Sequence, residues 1–279
     1  MKLQNRLRTG VSQKRRLMIF LALAALLVML SVLAPLLTPN DPNATSSADM
    51  NQAPSARYPF GTDRYGRCVC SRVLMGARTS IFSAVALVVI TFVVGTFLGM
   101  FAGWYGGVVD TLVMRLADVL LSFPQMVLAI AVAGILGGGM FNAMLAMGIT
   151  GWTLYARLAR AQVLALREEA YIHSARLSGS GALTILMKDL LPNMLGPMIV
   201  NATTQIGTMM IGIAGLSFLG IGVTEPQAEW GSMISASRAY IQLAPWAVLA
   251  PAAATIVTVM IFNYLGDCVR DVLDVEGRI

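Results

Sequence analysis

The chain has 279 residues, 57% hydrophobic and 12% charged, with a mean hydropathy of +0.71 and a net charge of +6. That composition lies outside the range of soluble globular domains. The positive charge reads as a membrane-topology signal and not as a nucleic-acid surface, because the cations gather at the ends of apolar stretches.

Residues 1–16 form a basic head with Lys2, Arg6, Arg8, Lys14, Arg15 and Arg16, expected to be a cytoplasmic N-terminal segment. The apolar stretch 17–37 has 21 residues, where the apolar region of a cleaved leader has about 7–15. It is therefore expected to remain as the first transmembrane helix. Residues 38–79 form an outer loop, opening on Thr38-Pro-Asn-Asp-Pro-Asn43 and tightening at Pro59-Phe-Gly-Thr-Asp-Arg-Tyr-Gly-Arg67. Arg67 and Asp63 are expected to stabilise this loop and not to bind cargo. Cys68 and Cys70 also lie here, two residues apart, which is poor geometry for a mutual disulfide. They read as incidental thiols.

A second helix is expected near 80–104. Its Gly95, Gly99 and Gly103 recur every fourth residue, a spacing that lets two helix backbones approach closely in lipid. The uncharged window 119–156 is broken at Gly134…Gly137-Gly138-Gly139. Two crossings need about 40 residues plus a turn, so the third helix (108–134) must begin before Asp118 and the fourth (141–162) must run past Arg157. Asp110, Arg115, Asp118, Arg157 and Arg160 then share one membrane face. Met140, Met144 and Met147 lie on one side of the fourth helix and read as packing.

The loop between the fourth and fifth helices is about thirty residues long and partly apolar. Residues 168–178 have helical composition, Gly179-Ser180-Gly181 makes a turn, and 182–190 can be helical again up to Pro192, expected to start the fifth helix near 191–217. A short helix beside a glycine turn suits docking into a groove on a partner. The segment 218–245, with Glu225, Glu229 and Trp230, is expected at an outer mouth. A sixth helix near 246–265 leads to a cytoplasmic tail, 267–279. With the N-terminus inside, 14 basic residues lie inside and 6 outside, so both termini are expected in the cytoplasm.

The missing chemistry narrows the function. No expected span carries a charge near its centre, as ion-coupled carriers usually do. The only lysines are Lys2, Lys14 and Lys188 and none follows a glycine, so there is no phosphate-cradling G-x-x-x-x-G-K-[ST] loop. The one histidine, His173, lies in the long loop, and neither a catalytic site nor a metal or cofactor site is expected on this chain. Energy for uphill transport would have to come from another subunit.

The loop resembles the EAA motif of bacterial ABC-importer permeases, with the triplet at His173-Ser174-Ala175, the glycine at Gly179 and the close at Leu191-Pro192. His173 stands where that motif has an acid, Ser174 where it has alanine, and Asp189 where it has an apolar residue. Phe60-Gly-Thr-Asp63…Gly66-Arg67, Ser71-Arg72, Gly76-Ala-Arg78, Gly215-Leu-Ser-Phe-Leu-Gly-Ile-Gly222 and Glu229-Trp-Gly231 are similar to the C-type permease of the dipeptide, oligopeptide and nickel family. Trp152…Tyr155-Ala-Arg157, Arg176-Leu-Ser-Gly-Ser-Gly181 and Val223-Thr-Glu-Pro-Gln-Ala-Glu-Trp-Gly231 look most like its nickel branch.

The resemblance implies an all-α integral membrane protein of six transmembrane helices, the type I ABC-importer permease fold, with its core at 80–266 and a cytoplasmic coupling helix. It places ATPase coupling at Tyr171, His173, Ser174, Ala175, Arg176, Gly179, Ser180, Gly181 and Pro192. It implies a second homologous permease, two ATPase subunits holding ATP and magnesium, an extracytoplasmic solute-binding protein, and a place in the bacterial cytoplasmic membrane. The expected cargo is nickel or a nickel chelate, with di- or oligopeptides, or another chelated metal, as alternatives. A scaffold or receptor subunit that moves nothing is the alternative of a different class.

Overall fold

A computed structural model describes the backbone from residue 2 to residue 276 and the side chains of residues 13–273. Its helices are α1 (Lys2–Leu37), α2 (Val69–Tyr105), α3 (Gly107–Leu121), α4 (Gln125–Ile135), α5 (Met140–Leu166), α6 (Ala170–Leu177), α7 (Ala182–Thr184), α8 (Leu191–Phe218), α9 (Trp230–Ser237) and α10 (Trp246–Glu276). Among the described residues the only extended pairing is an isolated bridge between Thr62 and Cys68.

Among the described residues, four helical runs are long and apolar enough to cross a bilayer: Gln13–Leu37, Val69–Tyr105, Ala182–Phe218 and Trp246–Leu273. The pair α3 and α4 makes a fifth candidate, bent by 89°. α5 has 27 residues, about 40 Å at 1.5 Å per residue, but with Arg157 and Arg160 it is not among the runs apolar enough to qualify.

Several boundaries differ from the sequence expectation. The third helix is not continuous over 108–134; it breaks at Ser122-Phe123-Pro124. A proline has no N–H to give its helix and forces the residue before it out of helical geometry. Residues 69–79 belong to the first turns of α2 and not to a loop. The fifth helix starts at Ala182, because a π turn at Ile185–Leu190 joins α7 to α8 and carries the chain through Pro192 without a stop. A wider turn makes room where the proline ring would otherwise press on the carbonyl one turn back. The final helix continues through most of the expected tail, to Glu276.

α2 and α5 lie side by side in the same direction, with the glycine stripe as their seam. A methyl built on Gly95 would stand 2.7 Å from Tyr155 Cβ, on Gly99 2.8 Å from the Ala156 carbonyl carbon, and on Gly103 2.9 Å from Val163 Cβ. The spacing read from the sequence is thus a backbone-to-backbone contact inside the chain. The main core is built from α1, α2, α4, α5, α8, α9 and α10 around Ile81, Leu87, Met209, Ile213, Leu216 and Phe262. A second core, near α6, collects Met100, Tyr155, Ile172, Leu186, Leu190 and Met194. Met147 is buried and Met140 and Met144 pack against the main core, as packing residues do.

Candidate functional site

Two regions carry the residues singled out in the sequence, and they lie at opposite ends of the bundle. At the α6 end, Arg167 Nη1 donates to the Gly103 carbonyl at 3.1 Å. Arg160 makes a bidentate pair with Asp110, and Arg157 reaches Asp118 at 2.6 Å. These bonds join α3 and the C-terminal end of α2 to α5, just before the chain enters α6.

Helix α6 buries one side chain fully. Ile172 is fully buried among Leu186, Leu190 and Met194, while Tyr171, His173, Ser174 and Arg176 are exposed and Ala175 is half-buried. The Arg176 guanidinium stacks over the Trp104 ring at 4.5 Å, worth about 0.5–1 kcal/mol at an exposed site. His173 Nε2 lies 3.9 Å from Glu168, Ser174 bonds back to the Ala170 carbonyl at 3.0 Å, and the Tyr171 hydroxyl accepts from Asn193 at 3.4 Å.

Gly179 ends the helix at φ +79°, a conformation that costs glycine least. Its amide bonds to the Arg176 carbonyl at 3.0 Å and that of Ser180 to Ala175 at 3.1 Å, the paired bonds of a Schellman cap. Gly181 is exposed and accepts from Ile185 at 3.1 Å, and Pro192 is exposed on the following run. Sequence reasoning did not single out Leu177, 90% exposed, or Leu183, 63% exposed. Two isolated leucines give no periodic signal; their bareness shows only once Ile172 fixes which side of α6 faces inward. The structure therefore offers a short, capped, exposed helix with an apolar tip and a sharp turn beside it.

At the α9 end, the loop before α2 is held by ion pairs between its own side chains and Glu225. Arg67 and Asp63 are both 5% exposed. Arg67 Nε donates to Asp63 at 2.7 Å, and the other Asp63 oxygen accepts the amides of Tyr65 and Arg67 at 2.8 and 3.0 Å. The second arm of Arg67 reaches Glu225 at 2.9 Å. Arg72, 2% exposed, donates to the carbonyls of Pro42 and Pro226 at 3.1 and 3.2 Å. Burial opposes ionisation of Glu225, yet the Arg67 guanidinium, with Tyr65 and Arg64 nearby, outweighs it and holds the carboxyl below the usual glutamate range.

Of the residues expected at an outer mouth, Glu225 is in this network, whereas Glu229 and Trp230 are turned into the protein, at 1% and 3% exposure. Glu229 caps α9 by accepting from the amides of Gly231 and Ser232 at 2.9 and 2.8 Å and takes a bond from Ser80 at 3.2 Å. The Trp230 indole donates to the Val73 carbonyl at 2.9 Å. Both bind α9 to α2. Among the described residues no group of three His, Cys, Asp or Glu side chains is gathered as metal ligands, and the three cysteines are unbridged.

With this geometry in hand, comparison with known proteins is informative. Residues 95–275 match the family described as binding-protein-dependent transport system inner membrane component, and residues 12–54 the N-terminal transmembrane domain of oligopeptide transport permease C. The chain is 41% identical over 247 residues to a dipeptide transport system permease protein of Alkalihalophilus pseudofirmus, covering 88% of this chain and 81% of the relative. It is 42% identical over 250 residues to a glutathione transport system permease protein of Escherichia coli O6:K15:H31 (89% and 82%), and 37% identical over 254 residues to the nickel transport system permease protein of Escherichia coli K12 (91% and 92%). Among solved structures, a chain of a methionine ABC transporter in an inward-facing conformation superposes with a TM-score of 0.57 over 72% of this chain and 95% of the other, at 19% identity. That likeness speaks to the fold.

Proposed function

This chain belongs to the family of binding-protein-dependent transport system inner membrane components, and on that premise we propose that it forms half of the translocation pathway of an ATP-driven importer for small peptides. In this reading it crosses the bacterial cytoplasmic membrane six times with both termini in the cytoplasm. It pairs with a second, homologous permease, receives cargo from an extracytoplasmic solute-binding protein, and draws its energy from two separate ATPase subunits that hold ATP and magnesium.

The observation that carries the reading is α6. It is an exposed helix, capped at Gly179 and anchored by Ile172, at the end opposite the ion-paired loop. Residues 165–182 are the lever: closure of the ATPase pair moves α6, and through Ile172 and the π turn the motion reaches α8. In physical terms the ATPases bias a two-state equilibrium by contacting α6 differently in each state. Glu225, Glu229 and Trp230 lie at the far end, where the latter two hold the entrance together and Glu225 braces it from the rim.

Support for a peptide cargo comes from relatives 41% and 42% identical whose names give dipeptide and glutathione transport. Nickel is the second reading, favoured by the 37%-identical nickel permease, 92% of which is covered, and by the stretches 176–181 and 223–231. Uptake of labelled dipeptide and of labelled nickel, in cells with and without this chain, decides between them. Loss of dipeptide uptake alone is expected; loss of nickel uptake alone would overturn the peptide assignment and leave the permease reading intact.

A further inference from the structure

Gly76-Ala-Arg78 is a motif whose arginine the architecture leaves unused. Gly76 is buried under the Trp230 ring, 2.8 Å from where a methyl would sit, and this contact fixes which way α2 is turned. Arg78 then falls on the open side, exposed, at the wall of a cavity of about 580 Å³ at the α9 end. The other described arginines of this end have partners. Arg57 stacks on Tyr58 and Arg238 on Phe218, Arg64 and Arg67 face Glu225, and Arg72 is held by carbonyls. Arg78 has neither an ion pair nor a hydrogen bond among the described residues.

The polar side chains around it carry no charge and can each donate a hydrogen bond. Asn43, Thr79 and Gln227 line the same cavity. The Asn43 amide oxygen is turned to Arg72, at 3.4 Å, so its NH2 group is left uncommitted, and among the described residues the side chains of Thr79 and Gln227 likewise make no hydrogen bond. Among the described residues no carboxylate lines the cavity, and the two acids nearest to Gln227 in sequence are committed elsewhere, Glu225 to Arg67 and Glu229 to the amides of Gly231 and Ser232. Met75 and Phe82 supply an apolar wall on the same face of α2. A guanidinium fork with neutral donors and no competing acid is the arrangement that binds a carboxylate with charge-assisted bonds.

We propose that this cavity is a carboxylate-binding site at the entrance of the pathway, which takes the carboxylate of an incoming solute on Arg78. The placement at an entrance rests on the permease reading; the binding does not. Arginine-selective labelling of the full chain in phosphatidylcholine nanodiscs, with phenylglyoxal and peptide mass spectrometry, tests it without requiring transport. Arg78 is expected to label readily and to be protected by glycylglycine, with the amide of the same dipeptide weaker by at least about tenfold, the value of one charge-assisted bond. The Thr79→Ala/Gln227→Ala pair should raise the protecting concentration about tenfold while unliganded labelling of Arg78, Arg64 and Arg238 stays unchanged. Equal effects of acid and amide would overturn the site. So would protection that needs phosphatidylglycerol in the nanodisc, which would make Arg78 an anchor for lipid headgroups. Failure of the permease reading would show separately, in ATP turnover.

Discussion

A methyl on Gly99 would stand 2.8 Å from the carbonyl carbon of Ala156, so α2 and α5 meet backbone to backbone at this point. In lipid, close approach of this kind takes the place of the hydrophobic effect in holding helices together. The seam also joins the two ends of the molecule, since α2 begins at the ion-paired loop and α5 ends just before α6.

Gly99→Ala is therefore expected to destabilise the protein by about 1–3 kcal/mol, the range for overpacking a tight contact. Gly134→Ala is the matched control: it is also helical, but a methyl there meets nothing within 4 Å. Thermal unfolding in one detergent should show a clear loss for Gly99→Ala and none for Gly134→Ala. Equal melting of the two would mean that the seam is looser than the geometry requires.

The bond between Arg67 and Glu225 predicts a dependence on pH. The folded-state pKa of Glu225 is lowered, so its stabilisation is present above the ordinary glutamate value of about 4.3 and disappears as pH falls through the folded value. Glu225 is one-third exposed, and Glu225→Gln should cost no more than about 1 kcal/mol at pH 7. That gap should close in acid. Arg67→Ala should cost more, about 1–3 kcal/mol, because it removes the buried Nε bond to Asp63 and leaves that carboxylate with two amides and Arg72 at 3.9 Å. A gap for Glu225→Gln that did not shrink at all as pH was lowered from the ordinary glutamate range until unfolding would contradict the assignment.

The sequence announced a membrane protein, the glycine seam and the exposed helix, because each rests on a local pattern that water or lipid imposes directly. The 89° bend at Pro124 and the passage through Pro192 were not legible, although Pro192 was read as the start of a helix. Whether a proline ends a helix, bends it or is absorbed by a π turn depends on neighbours distant in sequence. Glu229 and Trp230 show the same limit. The family resemblance of Glu229-Trp-Gly231 and its place in the segment 218–245 marked them out, but only the fold shows that they face Ser80 and Val73. Arg78 became noticeable only when the other arginines at its end were seen to be occupied.

The tip of α6 predicts a separation of function from folding. Leu177 is 90% exposed, so Leu177→Asp should leave stability within about 0.5 kcal/mol, and Gly179 has open space around it but a φ of +79°, so Gly179→Asp should cost about 1–2 kcal/mol. Both variants should reach the membrane in normal amount and lose uptake. Membrane content measured beside uptake checks this; normal uptake by either variant would remove the coupling role from this helix.

The pairs at the α6 end should differ in value. Asp118 and Arg157 are 57% and 47% exposed, so Asp118→Asn should cost less than about 0.5 kcal/mol. Asp110 and Arg160 are less exposed, at 21% and 34%, and bidentate. Asp110→Asn should cost about 1 kcal/mol, and the exchange Asp110→Arg with Arg160→Asp should recover part of it. A double-mutant cycle read by thermal unfolding measures both couplings.

The most direct test of the central claim, that this chain is a pathway subunit powered from outside itself, is ATP turnover. The chain, its partner permease and the ATPases are purified together and assembled in proteoliposomes with the solute-binding protein. The account predicts stoichiometric co-purification, turnover that rises when loaded binding protein is added, and loss of that rise in Leu177→Asp with the assembly intact. Turnover indifferent to this chain, or stimulation unchanged by Leu177→Asp, would contradict it.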